Sequence, residues 1–239
     1  MHRIICGDGL YELSRLQADM YFCDPPDGIG LKYDGFEDKF NDYGRWLTGF
    51  ISTALCQAPT LWLSFNSKWI IEVGFRVKRL VNIIDGLEVK PCVQTFTFGQ
   101  HCHTDLGNGN RPLWRFRKWG APLYPNQIRV PSWRQQNGDK RADPRGRVPL
   151  DVFDFPRVTG NSKQRRKWHP TQLHEGLVER CILMSTKEGD HVVDPFAGTG
   201  TTLRVCKRLN RRCTLIDISE SYCQKIAEEH GLEVEYALV

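Results

Sequence analysis

An acid and two prolines, Asp24-Pro25-Pro26, close the apolar run Met20-Tyr21-Phe22-Cys23. A glycine turn, Gly198-Thr199-Gly200-Thr201, follows the run Val192-Val193-Asp194. Each puts polar groups at the end of what reads as a strand. The segment after the second, Leu203-Arg204-Val205-Cys206-Lys207-Arg208-Leu209, has helical spacing. Strand, tight glycine turn and helix N-terminus in that order offer free backbone N–H groups to an anion or to the polar end of a cofactor. A further strand, Cys213-Thr214-Leu215-Ile216-Asp217, ends in an acid 19 positions after Gly198 (217 − 198). An acid at that distance suits hydrogen bonds to ribose hydroxyls. The third glycine of a dinucleotide fingerprint is missing, so the ligand need not carry a pyrophosphate, and a carboxylate would be held equally well.

Asp194-Pro195-Phe196-Ala197-Gly198-Thr199-Gly200-Thr201 resembles the S-adenosylmethionine loop of DNA amino-methyltransferases. Asp24-Pro25-Pro26 resembles most of their catalytic Asp-Pro-Pro-Tyr motif, and His169-Pro170-Thr171-Gln172 resembles the segment that precedes the cofactor loop. The catalytic motif comes before the cofactor loop, which is the order of the β-type subclass. The resemblance spans nearly the whole chain, and three motifs in sequence are far more specific than one. It implies an α/β, Rossmann-like methyltransferase fold, S-adenosylmethionine as cofactor and DNA as partner. It also implies transfer of a methyl group to the exocyclic amine of a base. Adenine N6 is preferred over cytosine N4, because an aspartate opening is commoner with adenine and serine with cytosine. Asp194, Phe196, Gly198, Gly200, Thr201 and Asp217 would contact the cofactor, with Thr171 and Gln172 near its amino-acid end. Asp8 would lie beside its adenine, although an acid in a turn is an equally ordinary reading. Alternatives are a methyltransferase for RNA or protein, and a nucleic-acid binder that keeps the fold without turnover.

The exocyclic amine is a weak nucleophile because its lone pair is delocalised into the ring. A carboxylate from Asp24 and the carbonyl of Pro25, its direction preset by proline's fixed φ, could draw that nitrogen toward tetrahedral geometry. A duplex hides the amine, so the base must be flipped out. The fourth catalytic position is Asp27, where the family pattern has Tyr. An aspartate cannot stack on a base, and Tyr33 and Phe36 on the adjoining segment are the nearest aromatics that could. The alternative is a poor pocket.

These groups need a sheet to carry them. His2–Cys6 reads as a strand closed by Gly7-Asp8-Gly9, then a helix from about Leu10 to Leu16. Gly28 to Asn41 reads as a flexible loop, Tyr43–Leu55 as a helix, Thr60–Phe65 as a buried strand, Lys68–Leu80 as a helix and Cys92–Phe98 as an alternating strand. Alternation of strands and helices implies a mostly parallel twisted sheet with helices on both faces. A helix over Leu173–Met184 leads to the glycine turn, and Ser219 or Ser221 caps a last helix running to about Glu229. The expected organisation is one domain over residues 1–239. Residues 105–167 form an irregular target-recognition insertion, part of which, near Arg111–Lys118, is a strand of the parent sheet.

Charge supports that assignment. Residues 111–167 hold 15 Lys or Arg against 4 Asp or Glu, a balance of +11, while the rest hold 18 against 24, a balance of −6. A basic, aromatic block in an acidic body suits phosphate contacts and base stacking. Arg134, Arg145 and Arg166 represent it. No apolar run reaches membrane length and the first residues are too short for a signal segment. Nine cysteines without a Cys-x-x-Cys pair read as reduced core thiols of a cytoplasmic protein. His101-Cys102-His103 has no second pair at ligand spacing, so no metal is expected. Pro91-Cys92 is similar to the nucleophile dipeptide of cytosine-C5 methyltransferases, but it opens a strand and would be buried. A homodimer and a partner nuclease are left open.

Overall fold

The apolar runs read from the sequence become central strands because their side chains fill both faces of a sheet. The computed structural model describes residues 1–96 and 102–237. In chain order the elements are β1 (His2–Cys6), α1 (Gly9–Leu13), β2 (Met20–Cys23), β3 (Lys32–Tyr33), β4 (Phe36–Glu37), α2 (Tyr43–Gln57), β5 (Thr60–Ser64), α3 (Ile70–Ile83) and β6 (Leu87–Thr95). There follow β7 (Asn110–Lys118), α4 (Trp133–Gln136), β8 (Val152–Asp154), α5 (Glu175–Ser185), β9 (His191–Asp194), α6 (Thr201–Arg208), β10 (Arg212–Asp217), α7 (Glu220–His230) and β11 (Val234–Tyr236).

Nine strands form one sheet in the order β11-β1-β10-β9-β2-β5-β7-β6-β8, parallel except for β7, which runs antiparallel to β5 and β6. Alternation along each strand feeds two cores. Ile4, Met20, Phe22, Val192, Cys213 and Leu215 pack with α5, α6 and α7; Ile5, Tyr21, Cys23, Val193 and Ile216 pack with α1, α2 and α3. Every residue of β2 and β5 is buried, the pattern of strands covered on both faces.

This topology brings the two motifs together. β9 continues to β10 on one side of the sheet and β2 to β5 on the other, so the strand order reverses where β9 meets β2. Those two strands are in register, Met20 against Val192 and Tyr21 against Val193. Their carboxyl ends, Asp24 and Asp194, therefore open onto the same crevice, the place where open α/β sheets bind ligands.

Several local expectations change. Gly28–Asn41 is not a plain loop: β3 and β4 make a hairpin there, Lys32 against Glu37 and Tyr33 against Phe36. α1 ends at Leu13, with Ser14 as its cap. The strand expected over Cys92–Phe98 begins at Leu87 and ends at Thr95; residues 97 and 98 lie outside the described residues. Pro91 sits within it at a stretch where β6 has only β7 beside it, a place where a strand tolerates a missing N–H. The segment 105–167 supplies β7 as expected and also β8, which pairs with the end of β6, so its irregular part is smaller than the composition suggested. Its sequence Val152-Phe153-Asp154 is too short to signal a strand. β11, equally short, adds an edge strand parallel to β1 that carries no sequence signal of its own. Among the described residues no helix is long and apolar enough to cross a membrane and no group of three His, Cys, Asp or Glu could hold a metal; His101 lies outside them.

Candidate active site

The glycine turn is shaped by two carboxylates. Asp194, at the end of β9, folds back: Oδ1 accepts from the amide of Phe196 at 3.0 Å and Oδ2 from the hydroxyl of Thr202 at 2.5 Å. Asp217, at the end of β10, accepts from the amides of Gly198 at 2.8 Å and Ser219 at 2.9 Å. Burial pushes Asp194 up to about 7 and Asp217 up to about 6, against the pull of those hydrogen bonds. Gly198 and Gly200 have φ of 51° and 72°, the left-handed region, and a Cβ on Gly198 would stand 3.3 Å from His169 Nε2. At Gly198 the turn thus forms a cradle that a side chain would fill, whereas Gly200 does not line the cavity and a Cβ there would meet Ile226 of α7 at 3.0 Å. Beside those amides the Asp217 carboxylate keeps acceptor capacity for a ribose hydroxyl. Asp8, exposed on the same wall, caps α1 by accepting from the amide of Tyr11 at 2.9 Å.

Across the crevice, the prolines turn β2 out of the sheet. Tyr43 donates its hydroxyl to the carbonyl of Pro26 at 2.8 Å and Trp69 Nε1 donates to the carbonyl of Asp27 at 2.9 Å. Among the described residues the carbonyl of Pro25 has no such partner. Arg111, at the start of β7, reaches over the end of β5. It donates Nη2 to Asp24 Oδ1 at 2.8 Å and Nε to Ser64 Oγ at 2.7 Å, and its Nη1 lies 2.7 Å from Asp27 Oδ1. Burial raises the Asp24 carboxyl and the Arg111 guanidinium lowers it, while the charge of Asp27 adds to the rise. Asp24 keeps 23% of its side chain exposed to the crevice and Asp27 only 11%.

The β3–β4 hairpin closes one side. Asp38, fully buried, anchors its base by accepting from the amides of Gly28 at 2.9 Å and of Leu31. At the tip Asp34 accepts from Ser219 Oγ at 2.8 Å and its amide donates to the Tyr222 hydroxyl at 3.2 Å. Tyr33 and Phe36 present their rings 6.3 Å apart, and Tyr33 lies 5.7 Å from His169. Burial, and then the carboxylates of Asp27 and Asp24, push the Tyr33 phenol up. This aromatic therefore stands between the acid pair and the glycine turn. Burial lowers His169 to about 4, so the ring beside Gly198 is neutral.

One cavity of about 790 Å³ joins these parts, from Asp8 and Asp217 past Gly198 to Asp24 and Tyr33 and out to Arg157. Pockets for small molecules run to about 300–1,000 Å³. Thr171, Gln172, Phe196, Thr201 and Phe36 line it as well. The Gln172 amide also braces its own loop, accepting from the amide of Arg166 at 2.8 Å and donating to the carbonyl of Gln164 at 2.6 Å. The three basic representatives do not converge. Arg134, in the short helix α4, and Arg145, in the loop after it, are exposed, and Arg145 pairs with Asp143 at 3.0 Å. Arg166 lies elsewhere, its guanidinium donating to Glu229 of α7 at 2.9 Å. Sequence reasoning assigned no site role to Arg111, Ser64, Asp34, Ser219 or Arg157; only the charge count pointed at the two arginines. Cys92 is buried within β6 and its thiol is pushed up to about 11, so it is not offered to a base.

A family model described as DNA methylase, of the N6/N4 type, matches residues 18–229. The type II methyltransferase M2.DpnII of Streptococcus pneumoniae is 53% identical, with 97% of this chain and 90% of that protein aligned. The type II methyltransferase M2.LlaDCHI of Lactococcus lactis subsp. cremoris is 49% identical over 88% of this chain and 81% of its own length. Among solved structures, the M1.HpyAVI–SAM complex shares the fold with a TM-score of 0.68 at 20% identity, covering 97% of this chain and 100% of that one.

Proposed function

The chain belongs to the N6/N4 DNA methylase family, and on that premise we propose that it transfers a methyl group from S-adenosylmethionine to the exocyclic amine of a DNA base, adenine N6 by preference. The observation that carries this reading is the single cavity. The glycine turn with Asp217 and the Asp24 carboxylate open into the same space, so a donor and an acceptor can meet there.

When bound, S-adenosylmethionine supplies an electrophilic methyl group on its sulfonium. Asp217 would receive the ribose hydroxyls, while Gly198 leaves room for the ligand to approach the turn. Thr171 and the N-terminal end of α6 would face its amino-acid part. Asp24 Oδ2 and the carbonyl of Pro25 would accept the two amine hydrogens. Aligned acceptors orient the nitrogen lone pair toward the methyl group, a contribution of positioning and electrostatics. Tyr33, backed by Phe36, would stack on the flipped base where the family pattern has an aromatic at position 27. Residues 105–167, in a single domain over 1–239, would present the exposed cations of the insertion to the phosphates. A nuclease for the same site is the counterpart expected in a type II restriction–modification setting, acting on DNA in the cytoplasm. Sedimentation with and without DNA reads whether the chain works as a homodimer.

Labelled cofactor offered with DNA, RNA and protein tests the reading. Label is expected in DNA, recovered after digestion as N6-methyladenine. Recovery as N4-methylcytosine would change the base, and label confined to RNA or protein would overturn the substrate.

A further inference from the structure

Among the described residues Arg111 is the one cation that pairs with both ends of the Asp24–Asp27 motif. Register explains how. Leu113 pairs with Ser64, the last residue of β5, so Arg111, two residues earlier on β7, projects past the end of that strand. From there two of its donor groups are directed, Nε at Ser64 Oγ at 2.7 Å and Nη2 at Asp24 Oδ1 at 2.8 Å, while Nη1 lies 2.7 Å from Asp27 Oδ1 as an ion pair that lacks hydrogen-bond alignment. The planar fork of a guanidinium can hold two carboxylates at fixed directions, which an ammonium cannot. Two acids and one cation leave the cluster with one negative charge.

We propose that Arg111 and Asp27 form a positioning pair for Asp24: the guanidinium fixes one Asp24 oxygen so that the other faces the base amine, and Asp27 shares the cation so that Asp24 remains a strong hydrogen-bond acceptor. The inference rests on the reading of Asp24 as the amine acceptor. A lone Arg111–Asp24 pair would be neutral, and a carboxylate fully matched by a guanidinium is a weak acceptor for a further N–H. A second acid on the same guanidinium restores the negative charge of the cluster. This gives the aspartate at position 27 a function that a ring there could not perform. It also explains how its charge is tolerated at 11% exposure, since a buried carboxylate requires a partner. The groups facing Asp24 are Arg111 from β7, Ser64 from β5, Asp27 on its own turn, Asp194 from β9, Tyr33 from the hairpin and Tyr43 from α2. Of these only Arg111 and Asp27 are changed in the test, so the contributions of the others are common to every variant.

The test measures turnover on DNA, cofactor affinity by calorimetry, and the titration of Asp24 by carboxyl carbon-13 NMR, assigned against Asp24→Asn. Arg111→Lys keeps the charge without the fork and should lower kcat by about 100-fold, the scale of a misplaced catalytic group, with cofactor affinity within about twofold of the parent. Asp27→Asn, nearly isosteric, should lower kcat by about tenfold and move the Asp24 midpoint downward, because a neighbouring negative charge is lost. If Arg111→Lys does not fold, Asp27→Asn alone decides on the same two readings. A kcat within about twofold of the parent in the folded variants, with Asp24→Asn inactive, overturns the positioning pair. Turnover retained by Asp24→Asn itself would instead remove the reading on which it rests.

Discussion

The amide of Gly198 donates to Asp217 Oδ2 at 2.8 Å, closing a loop between residues 19 positions apart. The acid of one strand thereby sets the shape of the turn that follows another. Asp217→Ala removes that acceptor and the expected ribose contact together. Calorimetry should show cofactor binding weakened by about 1–3 kcal/mol, the scale of a lost hydrogen bond to a charged group. Gly198→Val should weaken it at least as much, because a β-branched residue is strained at φ 51° and its side chain meets His169. Unchanged affinity in both variants, with intact circular dichroism, rejects the glycine turn as the cofactor site.

Asp194 gives the apo protein a pH dependence opposite to that of a salt-bridged acid. Burial raises its folded pKa to about 7, above the unfolded value near 3.9, so between those pH values the folded state binds more protons than the unfolded one. Stability therefore rises as pH falls from about 8 toward 5 and is lost again as the carboxylate ionises, by an amount on the order of a few kcal/mol. Asp217, raised to about 6, adds a smaller contribution of the same sign. Asp194→Asn can still accept from Phe196 and donate to Thr202, so it should flatten this slope while preserving cofactor binding. Denaturant melts across this range read it; an identical slope in parent and variant rejects the assignment.

The three arginines chosen from the basic block separate once their partners are known. Arg134 and Arg145 lie exposed, and each alanine variant should reduce the slope of log affinity against log salt by about one, as one phosphate contact does. Arg145 must exchange Asp143 for phosphate, a small cost for an exposed pair. Arg166 is held by Glu229 and its backbone by Gln172. Arg166→Ala should leave the salt slope unchanged. Fluorescence titrations at several salt concentrations measure all three, and parent slopes for Arg134→Ala and Arg145→Ala would move the DNA surface away from this segment.

The sheet was legible because its signals are local. The apolar runs ending in Asp24, Asp194 and Asp217 each carry their own period and their own punctuating residues. The adjacency of β2 and β9 was not local: it follows from sheet order, and only the resemblance of the motifs placed Asp24 near the turn. Arg111 shows what sequence cannot carry. Its significance comes from the register of β7 against β5, which lets a residue 87 positions from Asp24 reach its carboxylate. In composition it was one cation among 15 in residues 111–167. The hairpin was missed for a related reason. Two-residue strands have no periodicity to detect, and its anchors, Asp38 and the Asp34–Ser219 contact, are side-chain hydrogen bonds.

Asp27 and Tyr33 make opposite predictions about the missing aromatic. If position 27 were merely a damaged stacking site, Asp27→Tyr would restore the family pattern and raise turnover. Its surroundings point the other way. The side chain is buried, Trp69 donates to its carbonyl, and Arg111 faces its carboxylate. A tyrosine would need volume that the packed turn does not offer and would remove one of the two acids that share the Arg111 cation. Overpacking of this kind costs about 1–3 kcal/mol. Asp27→Tyr should therefore lower the melting temperature and fail to raise kcat. Tyr33→Ala, by contrast, removes a ring at the pocket wall whose partners are Phe36 and His169. It should cost about 1–3 kcal/mol in kcat/KM for DNA, the worth of one base stack, with cofactor affinity retained. Phe36→Ala should act in the same direction but less, since Phe36 backs Tyr33. Turnover and melting measured on the same preparations separate the two positions. A gain in turnover from Asp27→Tyr, or full activity in Tyr33→Ala, would return the stacking site to position 27.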